Sequence, residues 1–139
     1  MITMSITVTW DNTERTIIRW TFPENWTWED AQGAVSVEAQ MANQVEHIVY
    51  AIGDLLPTRV IPPGAMRSVK HIMASRHLRI GLTVLITDSY YVTTMVNMIR
   101  ATVHRQFMEQ SRLIVVSTER DAYAAIETER GNKNTSLSR

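Results

Sequence analysis

The chain from position 80 to position 86 reads IGLTVLI, a continuous apolar run that ends at a Thr-Asp turn signal. Two shorter runs of the same kind, IVYAI at 48–52 and LIVV at 113–116, end at Gly-Asp and Ser-Thr. Short apolar runs bounded by turn formers are typical of strands that are covered on both faces, as in a parallel sheet. The sequence therefore predicts three buried parallel strands.

The segment before these runs predicts an antiparallel hairpin. Ile6, Val8 and Trp10 alternate with threonines, and residues 17–22 repeat the same period of two. This period indicates half-buried strands. The polar turn formers at 11–14 lie between the two series and predict the connecting loop.

Helical patterns separate the apolar runs. The first predicted helix begins at Thr27, whose hydroxyl can accept a hydrogen bond from the first turn, and ends near Asn43. Gly33 inside this helix costs about 1 kcal/mol relative to Ala, and a close contact with the sheet would explain its presence. Three further amphipathic patterns predict helices at about 63–76, 90–107 and 121–130.

Together these elements predict one α/β domain, over residues 1–130. The order β-β-α-β-α-β-α-β-α requires right-handed crossovers and a mainly parallel sheet, with the opening strand antiparallel to it. A chain of 139 residues can bury one sizeable core. Gly131 is predicted to end the last helix, and residues 131–139 are expected to form a disordered tail.

Composition excludes several classes of function. The chain has no cysteine, so it has no disulfide framework, thiolate nucleophile or cysteine-based metal site. It also lacks a glycine-rich phosphate loop, a hydrolase nucleophile elbow and a helical histidine pair for a metal. We therefore expect a non-enzymatic protein with no catalytic residue, no cofactor and no metal ion. With no signal-peptide pattern and no apolar run of about 20 residues, we expect a cytoplasmic protein without a transmembrane segment.

The formal net charge is zero, but the charges are partitioned along the chain. Residues 1–58 carry two basic and eight acidic side chains, whereas residues 59–112 carry eight basic and two acidic ones. A globally neutral chain is not expected to bind nucleic acid by bulk charge. Arg59, Arg67 and Lys70 nevertheless predict a local positive patch.

Candidate binding residues cluster where the parallel strands are predicted to end. Ligands of open α/β sheets bind outside the carboxyl ends of the strands, and Asp54 and Asp88 follow two of them, the latter also as a candidate helix cap. The apolar side chains of the loop at 54–64 either fold back on the core or form an exposed contact surface. The predicted partner- or ligand-binding residues are Asp54, Leu55, Leu56, Thr58, Arg59, Ile61, Pro63, Gly64, Arg67, Asp88, Ser89 and Tyr90.

Three sequence features resemble the STAS-like domain: WTWED at 26–30, the Asp that ends the third strand, and PPGA at 62–65. The family includes bacterial anti-sigma factor antagonists and cytoplasmic domains of sulfate transporters, and the likeness to small bacterial STAS-like proteins covers about residues 5–130. It implies a regulatory interaction module that binds a kinase-like anti-sigma factor and is switched by phosphorylation of a serine at the start of the second helix. Since residues 62–64 carry no hydroxyl, Thr58, expected to be exposed, is the candidate phosphorylation site.

Two functions follow from these observations. The first is docking of a protein partner through the loop at 54–64, the second helix and the Asp88 turn. The alternative is binding of a small apolar or lipid ligand against the sheet, with the loop and methionines of the second and third helices as its walls. Self-association is also expected, as a homodimer through a hairpin that presents Trp10, Ile17 and Trp20.

Overall fold

The computed structural model describes residues 5–107 and 112–137, and these form an α/β domain with five strands and four helices. The predicted order is confirmed. The elements are β1 (Thr7–Trp10), β2 (Ile17–Thr21), α1 (Trp28–Ala42), β3 (Val49–Asp54), α2 (Ala65–Ser75), β4 (Ile80–Ile86), α3 (Tyr90–Phe107), β5 (Leu113–Val116) and α4 (Glu119–Leu137).

The strands form one mixed sheet in the order β1-β2-β3-β4-β5. β1 is antiparallel to β2, as predicted, and the other neighbours are parallel. Because each parallel strand pairs with the next one along the chain, right-handed crossovers place α1, α2 and α3 on the same face. One buried cluster joins that face to these three helices, and a second joins the opposite face to α4.

Local signals set the ends of α1 as predicted. The Thr27 hydroxyl accepts a hydrogen bond from the Asp30 backbone N–H at 3.1 Å, and the Asp30 carboxylate accepts one from the Thr27 N–H at 3.0 Å. The C-cap is Asn43. The contact expected at Gly33 is wrong, because a Cβ built on this exposed residue would have no atom within 4 Å.

The end predicted for the last helix is also wrong. α4 continues through Gly131 to Leu137, so the expected disordered tail is helical over 131–137, and residues 138 and 139 lie outside the described residues. Gly64 is the one glycine with a positive φ among the described residues, so Gly131 does not use the left-handed geometry of a helix stop. α4 starts at Glu119, where the Thr118 hydroxyl accepts a hydrogen bond from the Asp121 N–H at 3.1 Å.

The hairpin does not present the residues expected on its surface. Ile17 is buried in the cluster against α4, and Trp20 is buried in the cluster on the opposite face. Trp10 is partly buried and packs against the same cluster as Trp20. Both faces of β2 are therefore covered inside the domain, because α4 packs on the face that the hairpin pattern alone would leave exposed to solvent.

None of the helices within residues 5–107 and 112–137 combines the length and the apolar character needed to cross a bilayer.

Candidate functional site

Helix α2 does not close tightly over the sheet. Ala65 is its one buried residue, although its sequence has a strongly apolar side. Val69, Ile72 and Met73 on that side are only partly buried. Gly64, with φ +88°, is the N-cap residue of α2 and turns the chain into the helix. The space that α2 leaves against the sheet is the most distinctive feature of this face.

Two adjoining cavities occupy this space, and we call them together the inner cavity. One has a volume of about 120 Å³ and lies between the sheet, from Trp20 to Leu113, and α2. The other has a volume of about 100 Å³ and reaches α3 and the loop at Leu55. Both are partly open to solvent, and the surface exposed inside them is entirely apolar. They share four lining residues: Phe22, Val69, Leu85 and Leu113.

A row of four aromatic rings lines the inner cavity. The Trp20 and Phe22 rings stack with centroids 5.9 Å apart, Phe22 meets Trp26 edge-on at 5.0 Å, and Trp26 meets Trp28 edge-on at 4.9 Å. Strand alternation places the first two on one face, and the cap at Thr27 places the other two beside them. Edge and offset contacts of this kind are favourable geometries for aromatic pairs.

Each indole N–H of this row is bonded to the surrounding protein. Trp20 donates to the Glu38 carboxylate at 2.8 Å, Trp26 to the Thr58 hydroxyl at 3.0 Å, and Trp28 to the Pro62 carbonyl at 3.0 Å. The rings therefore offer carbon surface to the cavity, because their one polar atom is already satisfied.

One end of the inner cavity is closed by a buried ion pair. Arg76 contacts both carboxylate oxygens of Glu38, from Nε at 3.0 Å and from Nη2 at 2.9 Å, and its Nη1 donates to the Thr83 hydroxyl at 2.7 Å. Glu38 is fully buried and the Arg76 side chain is 7% exposed. Because the guanidinium is held by these partners, Arg76 contributes only apolar surface to the cavity wall.

The predicted loop residues divide into a buried and an exposed set. Leu55 and Ile61 are buried and Leu56 is partly buried, so the apolar side chains fold back on the core. The expected exposure of Thr58 is wrong: it is fully buried, its hydroxyl accepts from Trp26, and it donates to the Pro23 carbonyl at 2.9 Å. Phosphorylation would remove the hydrogen that Thr58 donates to Pro23 and would place a charged group in a fully buried position.

The exposed residues of the predicted set meet at one edge of the sheet. An ion pair of 3.4 Å between Arg59 and Asp88 joins the loop to the turn before α3. Asp88 does not cap that helix, because the Ser89 hydroxyl accepts from the Val92 N–H at 3.2 Å. The other exposed members of the set are Pro63, Gly64, Arg67 and Tyr90.

Asp54 belongs to a different cluster, on the α4 side of the sheet, which sequence reasoning missed. Arg19 contacts Asp11 at 2.9 Å, Asp54 at 3.3 Å and also Glu119, and the Tyr123 hydroxyl donates to Asp11 at 2.7 Å. Burial by itself lowers the pKa of Arg19, but its hydrogen bonds to Asp11 and Tyr123 and the nearby carboxylates raise that pKa overall. The cluster ties the hairpin to α4 and holds Arg19 as a permanent cation.

The aromatic row was the other feature that sequence reasoning did not single out. Its signal is the spacing, since Trp20, Phe22, Trp26 and Trp28 fall within nine positions.

Comparison of the chain with family models, curated proteins and solved structures found no match. The resemblance to STAS-like domains therefore stays a prediction.

Proposed function

We propose that this protein is a non-enzymatic binding protein for a small apolar ligand, held between the sheet and helices α2 and α3. The observation that carries this proposal is the inner cavity, with its aromatic row and its wholly apolar wall. Engineered apolar cavities of about 150 Å³ bind benzene. The larger of the two cavities here, at about 120 Å³, approaches that size, and the adjoining one extends it.

The apolar wall itself supports the same proposal. Because the inner cavity is partly open, its carbon surface contacts water when no ligand is bound. Removing apolar surface from water is favourable by about 25 cal/mol per Å². A bound apolar ligand would recover that free energy. Met73 in the wall is unbranched and can adapt its shape to different ligands.

Tryptophan fluorescence offers a direct test, because three indoles border the inner cavity. Protein freed of small molecules in denaturant and refolded would be titrated with iodobenzene, whose iodine quenches a ring that it touches. We expect saturable quenching. Ala51 lines the cavity on β3, whereas the buried Ala42 on α1 does not. Ala51→Leu should weaken the saturable phase, because it fills part of the larger cavity, and Ala42→Leu should leave it unchanged. Linear quenching of equal slope in all three proteins would contradict the proposal.

A second function, docking of a protein partner, is supported by the exposed edge beside Arg59. Tyr90 is 88% exposed and Val60 is 64% exposed. Asp88 neutralises Arg59, and Arg67 gives this edge its net positive charge. Exposed aromatic and arginine side chains are frequent anchors of interfaces. A bacterial regulatory module that binds an acidic surface of a kinase-like anti-sigma factor, as the STAS-like resemblance implies, would use such an edge.

Site-specific photo-crosslinking in cells would test this second function. A photoreactive residue at position 90 should give one discrete crosslinked product, because Tyr90 stands in the proposed interface. The same residue at Leu78, which is 83% exposed outside the predicted binding set, is the control. Arg59→Glu should weaken the product at position 90. Equal products at positions 90 and 78, or no product at position 90, would exclude docking at this edge.

A further inference from the structure

The inner cavity can take the chain of an amphiphile but not its headgroup. Its exposed surface is entirely apolar and it is partly open to solvent. Moving a polar group into such a space without a hydrogen-bond partner costs several kcal/mol, and a charge costs more. A ligand that carries a headgroup would therefore leave it at the opening and bury only its hydrocarbon part.

Helices α2 and α3 both border the smaller part of the inner cavity. His71, Ile72 and Ser75 on one side of α2 line a surface pocket together with α1. By helical spacing, Met66 and Lys70 lie away from that side, and α3 is the neighbour there. Val69 of α2 and Val96 of α3 both line the smaller cavity.

The two helices that border the smaller cavity, α2 and α3, carry only positive charges. Neither Ala65–Ser75 nor Tyr90–Phe107 contains an Asp or Glu, whereas α1 contains three and no Lys or Arg. Arg67 and Lys70 are exposed, and neither forms an ion pair with another residue in the part of the chain that the structure describes. An opening between these two helices would therefore carry a charge complementary to an anion.

We propose that the ligand is a single-chain amphiphile with an anionic headgroup, whose chain enters the inner cavity between α2 and α3 and whose headgroup lies against Lys70, with Arg67 nearby. This inference rests on the proposed function of apolar ligand binding. Scaled from the six carbons of benzene in about 150 Å³, the two cavities have room for roughly nine carbon atoms. A saturated carboxylate of about ten carbons fits this description, and its carboxyl carbon remains outside.

The contribution of the headgroup to affinity can be measured with three ligands whose chains match and whose headgroups differ. These ligands are decanoate, 1-decanol and decyltrimethylammonium. Calorimetric titration of the refolded full chain at low ionic strength should rank decanoate first and the cation last. Exposed ion pairs contribute about 0.2–1 kcal/mol each, so decanoate should bind about fivefold more tightly than 1-decanol. Lys70→Gln with Arg67→Gln should remove this preference without changing the affinity for 1-decanol. Arg120→Gln, an exposed change on α4, should leave the preference intact.

The outcomes separate this inference from the function on which it rests. If iodobenzene binds saturably but decanoate binds no better than 1-decanol, the headgroup inference is overturned and the apolar site stands. A decanoate preference that survives in the Lys70→Gln, Arg67→Gln protein also overturns it. If neither iodobenzene nor any of the three amphiphiles binds, the proposed function itself fails.

Discussion

Filling the inner cavity from the sheet should stabilise the protein, although the same substitution elsewhere in the core should destabilise it. Ala51→Leu adds three carbons, or about 75 Å³ at the benzene scale, to a cavity of about 120 Å³. At about 0.8 kcal/mol per buried carbon the gain is about 2.4 kcal/mol, less about 0.5–1 kcal/mol of lost rotamer freedom. We expect a net increase of about 1.5 kcal/mol in the free energy of unfolding.

Ala42→Leu is the matched control, because Ala42 is equally buried in the same core cluster but lines no described cavity. Overpacking there should lower the free energy of unfolding by about 1–3 kcal/mol. Urea denaturation of ligand-free protein gives both values, and an unchanged m-value shows that the native and denatured states keep their compactness. If Ala51→Leu lowers stability as much as Ala42→Leu, the space beneath α2 cannot accept a larger side chain, and the proposed ligand site is refuted.

Three further predictions concern the scaffold. Gly33→Ala should raise the free energy of unfolding by up to about 1 kcal/mol, since the site is helical with open space for a Cβ. Gly64→Ala should lower the free energy of unfolding by about 1 kcal/mol, because its φ is +88°. Urea melts that show the same sign for both substitutions would contradict this prediction. Arg76→Met should cost about 3–5 kcal/mol by leaving the Glu38 carboxylate buried and unpaired, and Arg76→Met with Glu38→Gln should recover most of that loss in the same assay. Burial raises the pKa of Tyr50 above 10. The unfolded chain therefore ionises first, and the free energy of unfolding should fall as pH rises above about 10. Tyr50→Phe should flatten this fall in urea melts between pH 9 and 11, and an unchanged slope would assign the fall to other groups.

The apolar loop shows how a correct local pattern leaves a functional question undecided. The sequence at 54–64 allows either a folded-back loop or an exposed contact surface. The structure shows Leu55 and Ile61 inside, and it shows why: the Trp26 indole and the Pro23 carbonyl bind the Thr58 hydroxyl and draw the loop inward. Those partners lie more than 30 positions away in the chain, so no local periodicity reports them.

The sequence by itself determined the elements of this protein and their order. Apolar runs, the cap at Thr27 and the alternation of β2 act through neighbouring residues, and backbone geometry converts them directly into strands and helix ends. The tertiary structure alone decided how closely α2 approaches the sheet, and therefore whether Trp20 and Phe22 face a filled core or a cavity. It also decided that Glu38 meets Arg76, 38 positions later, and that Arg19 meets Glu119, 100 positions later. The physical reason is that the alternation of side chains along an element depends on the local backbone, whereas a cavity depends on how the helices on the two faces pack against the sheet.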